Sequence, residues 1–187
     1  MTGRIRIGVV GGGIAGITAA IALMKHPHVD VQVYESAPHF FERGAGIGLS
    51  PLTLEALDDI IPSAIELLKA QAGAVDADAA RLVVVCTTHH PQTYHHTVPI
   101  QGSGPEAGTL ISDVGVAAGL TMNRAPLIQA LISLLPGDML HAGKRVKSLD
   151  QTASGVKIAF EDGTDSHFDA VIGADGIFSS IRNHVYS

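Results

Sequence analysis

The sequence has little cysteine, no basic stripe and no internal repeat, and these absences exclude several classes of protein. Cys86 is the only cysteine among the 187 residues, so an internal disulfide is impossible and a cytoplasmic location is expected. Acidic residues outnumber basic ones and the formal net charge is −6, which argues against a nucleic-acid partner. A small anionic ligand remains compatible with this balance, because it requires only a few local positive groups.

The chain contains an uncharged stretch from Ile7 to Met24, and its length alone would allow a membrane span. Three consecutive glycines, Gly11, Gly12 and Gly13, interrupt this stretch, and glycine weakens a helix interior. The glycines therefore favour a turn between a strand and a helix over a membrane span or a secretion signal. Since 46% of the residues are hydrophobic, the chain can bury the core of one domain or slightly more.

The glycine turn lies between a predicted strand and a predicted helix. Residues 4–10 end in the apolar letters IGVV and predict a short strand. Apolar residues then recur at helical spacing over 14–24, and Pro27 ends the pattern. Valines alternate with other residues over 29–34, as a strand requires, and Glu35 follows at the carboxyl end of that strand.

Within this unit, Gly11, Gly13 and Gly16 have the spacing G-x-G-x-x-G. In a dinucleotide-binding turn, Gly11 would permit the tight bend, Gly13 would let the backbone approach a pyrophosphate, and Gly16 would let the helix pack against the strand. The backbone amides of Ile14 and Ala15, at the start of the helix, would attract the phosphates.

Glu35 supplies the last part of this pattern, 19 residues after Gly16. Its carboxylate can accept hydrogen bonds from ribose hydroxyls, and its charge disfavours a 2′-phosphate. The alternative is an ordinary βαβ unit with flexible glycines.

NAD-dependent dehydrogenases and FAD enzymes share the strand, glycine turn, helix, strand and acidic residue described above. A second stretch, DAVIGADGIFSSIR, is therefore needed to distinguish the two classes. A short buried strand is expected over 170–172, followed by a tight turn at Asp175 and Gly176 and a helix that starts near Ser179. The letters G-A-D-G-x-x-S-x-x-R resemble the Asp-Gly motif of the flavin-dependent aromatic hydroxylases, the family of salicylate hydroxylase and para-hydroxybenzoate hydroxylase. The resemblance implies that Asp175 and Gly176 contact the cofactor, although Asp175 could also act only as a turn former.

Two further segments carry the same resemblance. The letters GAGIGLSP, residues 44–51, resemble the family loop that passes near the flavin, which implies Gly46 and Ile47 as cofactor contacts. Leu52 departs from the family, whose members usually have asparagine there. The letters MNRAPLIQAL resemble the R-x-x-L helix whose arginine contacts the FAD pyrophosphate, and that arginine would be Arg124.

The resemblance implies an α/β fold, with a Rossmann-like FAD-binding domain of the glutathione-reductase type and the start of a second β-rich substrate layer. The FAD-binding domain is expected over 1–75 and 116–187, with a partial excursion into the substrate layer over 76–115. The family's third signature, a Gly-Asp motif with nearby proline and glycine, is absent from these letters. The chain is therefore expected to be a truncated, amino-terminal portion of such an enzyme, with an exposed hydrophobic edge.

The implied activity is that of an FAD-dependent monooxygenase, or of its FAD-binding portion, in which NAD(P)H is a transient co-substrate. The implied partners are a small aromatic substrate and O2, without nucleic acid or a membrane span. A missing carboxyl-terminal portion or a self-associating partner is a further candidate. No catalytic residue is assigned. The alternatives are a non-catalytic FAD-binding fragment or partner subunit and, less favoured, an NAD-dependent dehydrogenase.

Four histidines, His89, His90, His95 and His96, could suggest a metal site. Adjacent residues on a strand point to opposite faces, and no carboxylate or cysteine completes a tetrahedral set at familiar spacing. No metal site is therefore predicted. The surrounding letters, RLVVVCTTHHPQTYHHTVPI, predict two strands joined around Pro91.

Overall fold

A computed structural model describes residues 3–40, 46–76, 82–83, 93–94 and 119–186 of the chain. This part of the chain combines a parallel sheet with helices packed against it, which confirms the α/β prediction. In chain order the elements are β1 (Ile5–Val10), α1 (Ile14–Met24), β2 (Val29–Tyr34), β3 (Gly46–Leu49), α2 (Pro51–Ile60), α3 (Ala64–Gln71), β4 (Val75–Asp76), β5 (Leu82–Val83), β6 (Thr93–Tyr94), β7 (Leu120–Asn123), α4 (Arg124–Ile132), a short 3-10 helix (Gly137–Met139), β8 (Leu140–His141), β9 (Val146–Thr152), β10 (Gly155–Phe160), β11 (Asp165–Phe168), β12 (Ala170–Gly173) and α5 (Ser180–Val185).

Four parallel strands form the central sheet, in the order β12-β1-β2-β8. One face of this sheet is covered by helices, because Val9, Val31 and Val33 are fully buried in the same core cluster as residues of α1 and α4. Strands of a parallel sheet that are covered on both faces read as continuous apolar runs. This burial explains the IGVV letters at the end of β1.

An antiparallel sheet, in the order β11-β10-β9, covers the opposite face of the parallel sheet. The Phe160 ring stacks on Tyr34 with 4.9 Å between ring centroids, and Phe168 meets the same tyrosine edge-on at 5.7 Å. The letters FEDGTDSHFD, which precede the Asp-Gly motif, predict a hairpin with a tight turn at Asp162 and Gly163. This hairpin is confirmed, since β10 and β11 are joined by a turn in which Gly163 has a φ of +84°. The molecule thus has three layers, with the parallel sheet in the middle.

A third sheet, in the order β3-β7-β4, was not predicted from the sequence. Residues 46–49 were interpreted as part of a loop, yet Gly46 pairs with Asn123 and Leu49 pairs with Leu120 in antiparallel register. The first two residues of the predicted loop, 44 and 45, lie outside the described residues. The loop interpretation was wrong for 46–49 because the partner strand is distant in the sequence, so no local pattern reveals the pairing.

The predicted buried strand over 170–172 is present as β12, but it is not fully buried. Ala170 is exposed, and Val171 and Ile172 are half-buried. The reason is that β12 stands last in the order of the described sheet and pairs with β1 alone. Beyond this edge, Ile177 and Phe178 are 79% and 91% exposed.

Little of the predicted substrate-layer excursion over 76–115 lies in the described residues. Leu82–Val83 pairs with Thr93–Tyr94 in antiparallel register, as a two-strand arrangement requires. The domain boundaries stay a prediction. Cys86, Pro91 and the histidine pairs at 89–90 and 95–96 lie outside the described residues.

The uncharged stretch over 7–24 is divided between β1, the glycine turn and the 11-residue α1. Among the helices of the described ranges, none has both the length and the apolar character that crossing a bilayer would take.

Candidate cofactor-binding site

The glycine turn follows β1 at the carboxyl edge of the parallel sheet. Gly11 has a φ of +114°, a conformation that L side chains rarely adopt, and its N–H donates to the carbonyl oxygen of Tyr34 over 2.8 Å. A Cβ at Gly11 would collide with the carbonyl oxygen of Ala174. Both the dihedral angle and the close approach therefore require glycine at this position.

Gly13 and Gly16 differ in what surrounds them. Gly16 is buried, and a Cβ there would collide with the carbonyl oxygen of Gly11, so it allows α1 to lie tightly against the turn. Gly13 precedes the first residue of α1, and no heavy atom of the described chain lies within 4 Å of where its Cβ would be. Gly13 therefore borders open space on the side where a ligand could approach.

The first turn of α1 is suited to an anion. Within the described residues, no side chain caps this helix, and its first turn contains no acidic residue. The first N–H groups of a helix have no intrahelical acceptor, and the helix dipole places partial positive charge beside them. Ile14 is half-buried and Ala15 is exposed, so this end of the helix is accessible. These features are what phosphate binding at a helix start requires.

The second glycine-containing turn, which follows β12, lies directly beside the first. The N–H of Ala174 donates to the carbonyl oxygen of Val10 over 2.7 Å, and a Cβ at Gly16 would lie 3.3 Å from the Cβ of Ala174. If both turns contact one cofactor, as the sequence predicts, the Gly11–Gly16 turn and the Asp175 turn must lie close together, and they do. Because β1 has β2 on one side and β12 on the other, the turns meet at a point where strand order reverses, which is where open α/β sheets bind ligands.

Glu35 lies at the end of β2, and its carboxylate is held by backbone donors. Oε2 accepts the N–H of Gly12 over 2.8 Å, and Oε1 accepts the N–H of Ala37 over 2.7 Å and the hydroxyl of Ser36 over 3.2 Å. Each carboxylate oxygen has two lone pairs, so Oε1 is fully used and Oε2 can still accept a hydrogen bond from a ligand hydroxyl. The half-buried side chain is thus oriented before any ligand arrives.

Asp175 makes contacts that the motif did not predict. Its Oδ1 accepts the hydroxyl of Ser179, and its Oδ2 accepts both the N–H and the hydroxyl of Ser180, over 2.6 and 2.8 Å, and the N–H of Ile181 over 3.3 Å. Burial opposes ionisation of this carboxyl group, but the hydrogen bonds outweigh burial and lower its pKa. The Asp175 side chain therefore caps the start of α5.

The backbone nitrogen of Asp175 lies next to the glycine turn, because a Cβ at Gly11 would be only 2.8 Å from it. Gly176 is exposed and has a φ of +78°, which allows the chain to turn before α5. The Arg182 guanidinium closes this turn by donating to the carbonyl oxygen of Ile177. Any cofactor contact at this turn would thus come from backbone atoms near Asp175 and Gly176, with the carboxylate already engaged.

A second group of predicted residues is brought together by β3, β7 and α4. Gly46 and Ile47 pair with Asn123 and Met122, and Arg124 follows directly as the half-buried first residue of α4. The resemblance placed these residues in two unrelated segments, and the pairing of β3 with β7 makes them neighbours.

The strand and the helix that carry this second group, β3 and α4, border a cavity together with α1. Ile14 and Ala15 of α1 line a mostly apolar cavity of about 280 Å³ together with Leu49 of β3 and Leu127 of α4. The first turns of α1 and α4 therefore border the same space. Arg124 stands one turn before Leu127 along α4.

The strand next to Glu35 carries a titratable side chain. The Glu35 N–H donates to the carbonyl oxygen of His141 over 2.9 Å, and the His141 ring stacks on Tyr34 at 4.8 Å and hydrogen-bonds the Gln32 side chain at 2.7 Å. Burial and, to a smaller extent, the nearby Lys144 charge lower the pKa of His141 against an opposing contribution from Asp138. A neutral imidazole is therefore favoured beside the end of β2 at neutral pH.

Sequence reasoning missed three residues that shape the site, namely Gly12, Phe40 and Ala174. Gly12 donates to Glu35, and the Phe40 ring lies against Gly12. The run of three glycines could have indicated Gly12, because G-x-G-x-x-G needs no glycine at its second position. Ala174 is the second letter of the Asp-Gly motif, but the motif gave it no role. No local signal identifies Phe40, since its contact with Gly12 joins residues far apart in the chain.

Two family models match parts of the sequence. The model described as "NAD(P)-binding Rossmann-like domain" matches residues 9–48, and the model described as "Flavin containing amine oxidoreductase" matches residues 101–174. The first match covers the glycine turn and Glu35, and the second ends beside the Asp-Gly turn.

Curated relatives match almost the whole chain. A 6-methylsalicylate 1-monooxygenase of Aspergillus terreus is 35% identical over 97% of this chain and 40% of its own length. A salicylate hydroxylase of Pseudomonas putida is 33% identical over 97% of this chain and 38% of its own length. The chain thus spans about two-fifths of the length of these relatives.

Solved structures show the same relationship. A salicylate hydroxylase in a substrate complex superposes with a TM-score of 0.66 and 28% identity over 98% of this chain and 38% of its own. The 2,6-dihydroxypyridine-3-hydroxylase of Arthrobacter nicotinovorans superposes with a TM-score of 0.68 and 26% identity over 97% of this chain and 39% of its own. By sequence and by fold, the chain is a relative of the FAD-dependent aromatic-ring monooxygenases of the salicylate hydroxylase type.

Proposed function

We propose that this chain binds FAD at the carboxyl edge of its parallel sheet and is the FAD-binding part of an aromatic-ring monooxygenase that uses NAD(P)H and O2. The observation that carries the proposal is the hydrogen bond between Ala174 and Val10, which joins the two glycine-containing turns at one edge. The similarity to salicylate hydroxylases along nearly the whole chain supports the same conclusion.

The residues present fit the pyrophosphate of a dinucleotide. The space beside Gly13 is open, and the first turn of α1 has neither a cap nor an acidic side chain among the described residues. A Cβ at Gly13 would reduce the room for a phosphate. In this proposal the amides of Ile14 and Ala15 donate to the phosphates, and Arg124 supplies the positive charge from α4.

Glu35 and the Asp175 turn would hold the parts of FAD on either side of the pyrophosphate. Glu35 accepts from the ribose hydroxyls, and its charge selects against a 2′-phosphate at the same place. The backbone of Asp175 and Gly176 closes the cradle from β12, and the backbone of Gly46 and Ile47 approaches the flavin from β3.

When bound, FAD would supply the redox chemistry, namely the oxidation of NAD(P)H and the activation of O2 that delivers one oxygen atom to an aromatic ring and the other to water. The contribution of this chain is to bind and orient the cofactor. None of its described side chains is assigned a proton-transfer role.

Titration of the purified chain with FAD tests the binding proposal. We expect quenching of flavin fluorescence with saturable binding and no competition by equimolar NAD⁺. Arg124→Met should weaken binding by about tenfold, because one charged contact to phosphate is lost. Arg4→Met is the matched control, since Arg4 precedes β1 at the opposite edge of the parallel sheet. A chain that binds NAD⁺ but no FAD would support a dehydrogenase and contradict the proposal.

Activity requires a separate measurement. NADPH and NADH consumption by the FAD-loaded protein is followed with salicylate as the probe, and the hydroxylated product is identified by mass spectrometry. Product formation supports the monooxygenase proposal in full. FAD binding without turnover of salicylate or related aromatic acids instead favours the alternative of a non-catalytic FAD-binding fragment or partner subunit.

A further inference from the structure

We propose that Phe40 is a positioning residue of the FAD site, which holds the glycine turn against the carboxylate of Glu35 and connects both to α4. This inference rests on the proposed function. Phe40 lies outside the glycine motif, the Asp-Gly motif and the R-x-x-L helix, so neither the sequence patterns nor the comparisons assign it a role.

The first observation is the packing of the Phe40 ring on the glycine turn. A Cβ at Gly12 would lie 2.6 Å from Cε1 of Phe40 and 3.0 Å from the Cβ of Glu35. Both distances are shorter than ordinary van der Waals contact, so the ring and the Glu35 side chain together occupy the space beside the Gly12 Cα. The middle glycine of the three is thus required by Phe40 and Glu35 rather than by the dinucleotide motif.

The second observation is what this packing holds in place. The N–H of Gly12 donates to Oε2 of Glu35 over 2.8 Å, and the ring lies against the residue that makes this donation. Removing the ring opens a gap beside Gly12, and the turn can then move away from the carboxylate. The other oxygen, Oε1, is held independently by Ala37 and Ser36. Phe40 therefore affects the Oε2 side of the carboxylate selectively.

The third observation connects Phe40 to α4. The side-chain amide of Gln129 donates from Nε2 to the carbonyl oxygen of Phe40 over 2.8 Å. Gln129 lies on α4, the helix that begins at Arg124. Phe40 thus links the element that presents the proposed phosphate-binding arginine to the turn that presents the proposed phosphate-binding amides.

These contacts distinguish a positioning role from simple burial. Phe40 is only half-buried and packs at the periphery of the core, whereas Phe160 is buried in the aromatic cluster with Tyr34. Core packing alone does not account for the contact between the Phe40 ring and Gly12, whose N–H donates to Glu35.

The first experiment measures the positioning without cofactor. In the ¹⁵N-labelled chain, we expect Phe40→Ala to shift the Gly12 amide resonance and to increase its hydrogen-exchange rate by about tenfold, while the Ala37 amide is unchanged. Leu52→Ala is the control, because Leu52 is an exposed apolar residue of α2 with no part in the site. Unchanged exchange at Gly12 would contradict the inference whatever the protein binds.

The second experiment measures FAD affinity in a double-mutant cycle. Phe40→Ala is expected to weaken FAD binding by about tenfold, and Gly12→Ala by a similar factor, since each disturbs the same hydrogen bond to a charged acceptor. The Kd of the double variant should be at least about threefold lower than the product of the two single effects predicts, because the added methyl group occupies space that the ring has left. Gln129→Ala should weaken binding by a smaller factor through α4.

The outcomes separate the inference from the proposed function. If the unmodified chain binds no FAD, the proposed function fails and this inference fails with it. If the unmodified chain binds FAD, and the Phe40→Ala variant gives the ¹⁵N spectrum of a folded protein and binds FAD equally well, only the inference fails. Independent, fully additive losses in the cycle also contradict it, since they would show that Phe40 and Gly12 do not act on one contact.

Discussion

The N–H of Ala174 donates to the carbonyl oxygen of Val10 over 2.7 Å, so the residues that precede the two glycine-containing turns are joined directly. The same alanine carries the carbonyl oxygen that leaves no room for a Cβ at Gly11. Two segments that are distant in the sequence thus depend on each other for their shape. A change on one turn is therefore expected to be transmitted to the other.

Gly11 and Gly13 offer a direct test of which glycine serves the fold and which serves the ligand. Gly11→Ala should lower the free energy of unfolding by about 2 kcal/mol or more, because the new Cβ meets both a φ of +114° and the Ala174 carbonyl. Gly13→Ala should leave stability within about 0.5 kcal/mol, since its φ is −77° and the space is open.

Urea denaturation of the two variants measures the free energy of unfolding, and FAD titration measures the affinity. Gly13→Ala should fold normally yet bind FAD at least about tenfold more weakly, because its methyl group intrudes where the pyrophosphate is proposed to lie. Wild-type FAD affinity in Gly13→Ala would show that the pyrophosphate lies elsewhere.

Glu35→Gln should affect both stability and binding. The carboxylate accepts from Gly12 and Ala37 with different oxygens, and a glutamine has only one oxygen to offer, so one backbone donor loses its acceptor. The free energy of unfolding should fall by about 1–2 kcal/mol and the Kd for FAD should rise by about tenfold. Thermal unfolding and fluorescence titration measure the two effects. Glu55→Gln, on the exposed face of α2, is the control and should change neither.

Asp175→Asn should change the dependence of stability on pH. Burial opposes the charged form, but hydrogen bonds from Ser179, Ser180 and Ile181 outweigh burial and lower the pKa of Asp175 in the folded state. A lowered folded pKa gives stability that is present above the unfolded pKa of about 3.9 and is lost as the pH falls through the folded value. At pH 7 the variant should be less stable by about 0.5–2 kcal/mol, the usual cost of losing a helix cap.

The difference between wild type and Asp175→Asn should stay constant from about pH 7 to pH 5 and shrink below about pH 4. Urea denaturation across this range measures it. Asp59→Asn, an exposed residue of α2, controls for the general loss of a carboxylate. A difference that grows on acidification would contradict the assigned role of the Asp175 side chain.

The parts of the fold that the sequence predicted are those encoded locally. The strand, glycine turn, helix, strand and Glu35 were all found, because their period and their glycines lie within a few dozen neighbouring residues. The hairpin at Gly163 was found for the same reason, since the turn requires a positive φ at that position. The helix near Ser179 was predicted as well, and it begins at Ser180.

The parts that escaped depend on partners distant in the chain. Gly46–Leu49 reads as a glycine-rich loop until β7 pairs with it. Leu120–Asn123 does alternate apolar and polar residues, but the four residues run directly into the next helix, so the letters do not reveal the pairing with β3. Asp175 was assigned to the cofactor from its motif, whereas the geometry directs its carboxylate to α5. A motif fixes residue types, but two roles with the same residue types are told apart only by where each side chain points.

Ser63 carries a strain that a single substitution should relieve. Its φ of 62° and ψ of 36° lie in the left-handed region, where a side chain costs about 1–2 kcal/mol relative to the right-handed conformation. It precedes α3, but its side chain makes no capping hydrogen bond among the described residues, and Asp58 Oδ1 accepts the N–H of Ala64 over 3.1 Å instead. Ser63→Gly should therefore stabilise the protein by about 0.5–1 kcal/mol, after allowance for the greater freedom of glycine in the unfolded chain.

Calorimetry should record this gain as a rise in Tm of about 1–4 °C. Ser63→Ala separates the two possible contributions, because it removes the hydroxyl but keeps the strained Cβ. Since the hydroxyl caps nothing among the described residues, the alanine variant should stay within about 0.5 kcal/mol of wild type. If Ser63→Ala instead loses the 1 kcal/mol or so that removal of an N-cap costs, the hydroxyl is the functional cap and Asp58 is not. FAD affinity should be the same in both variants, because Ser63 lies at the start of α3 and contributes nothing to the proposed cradle.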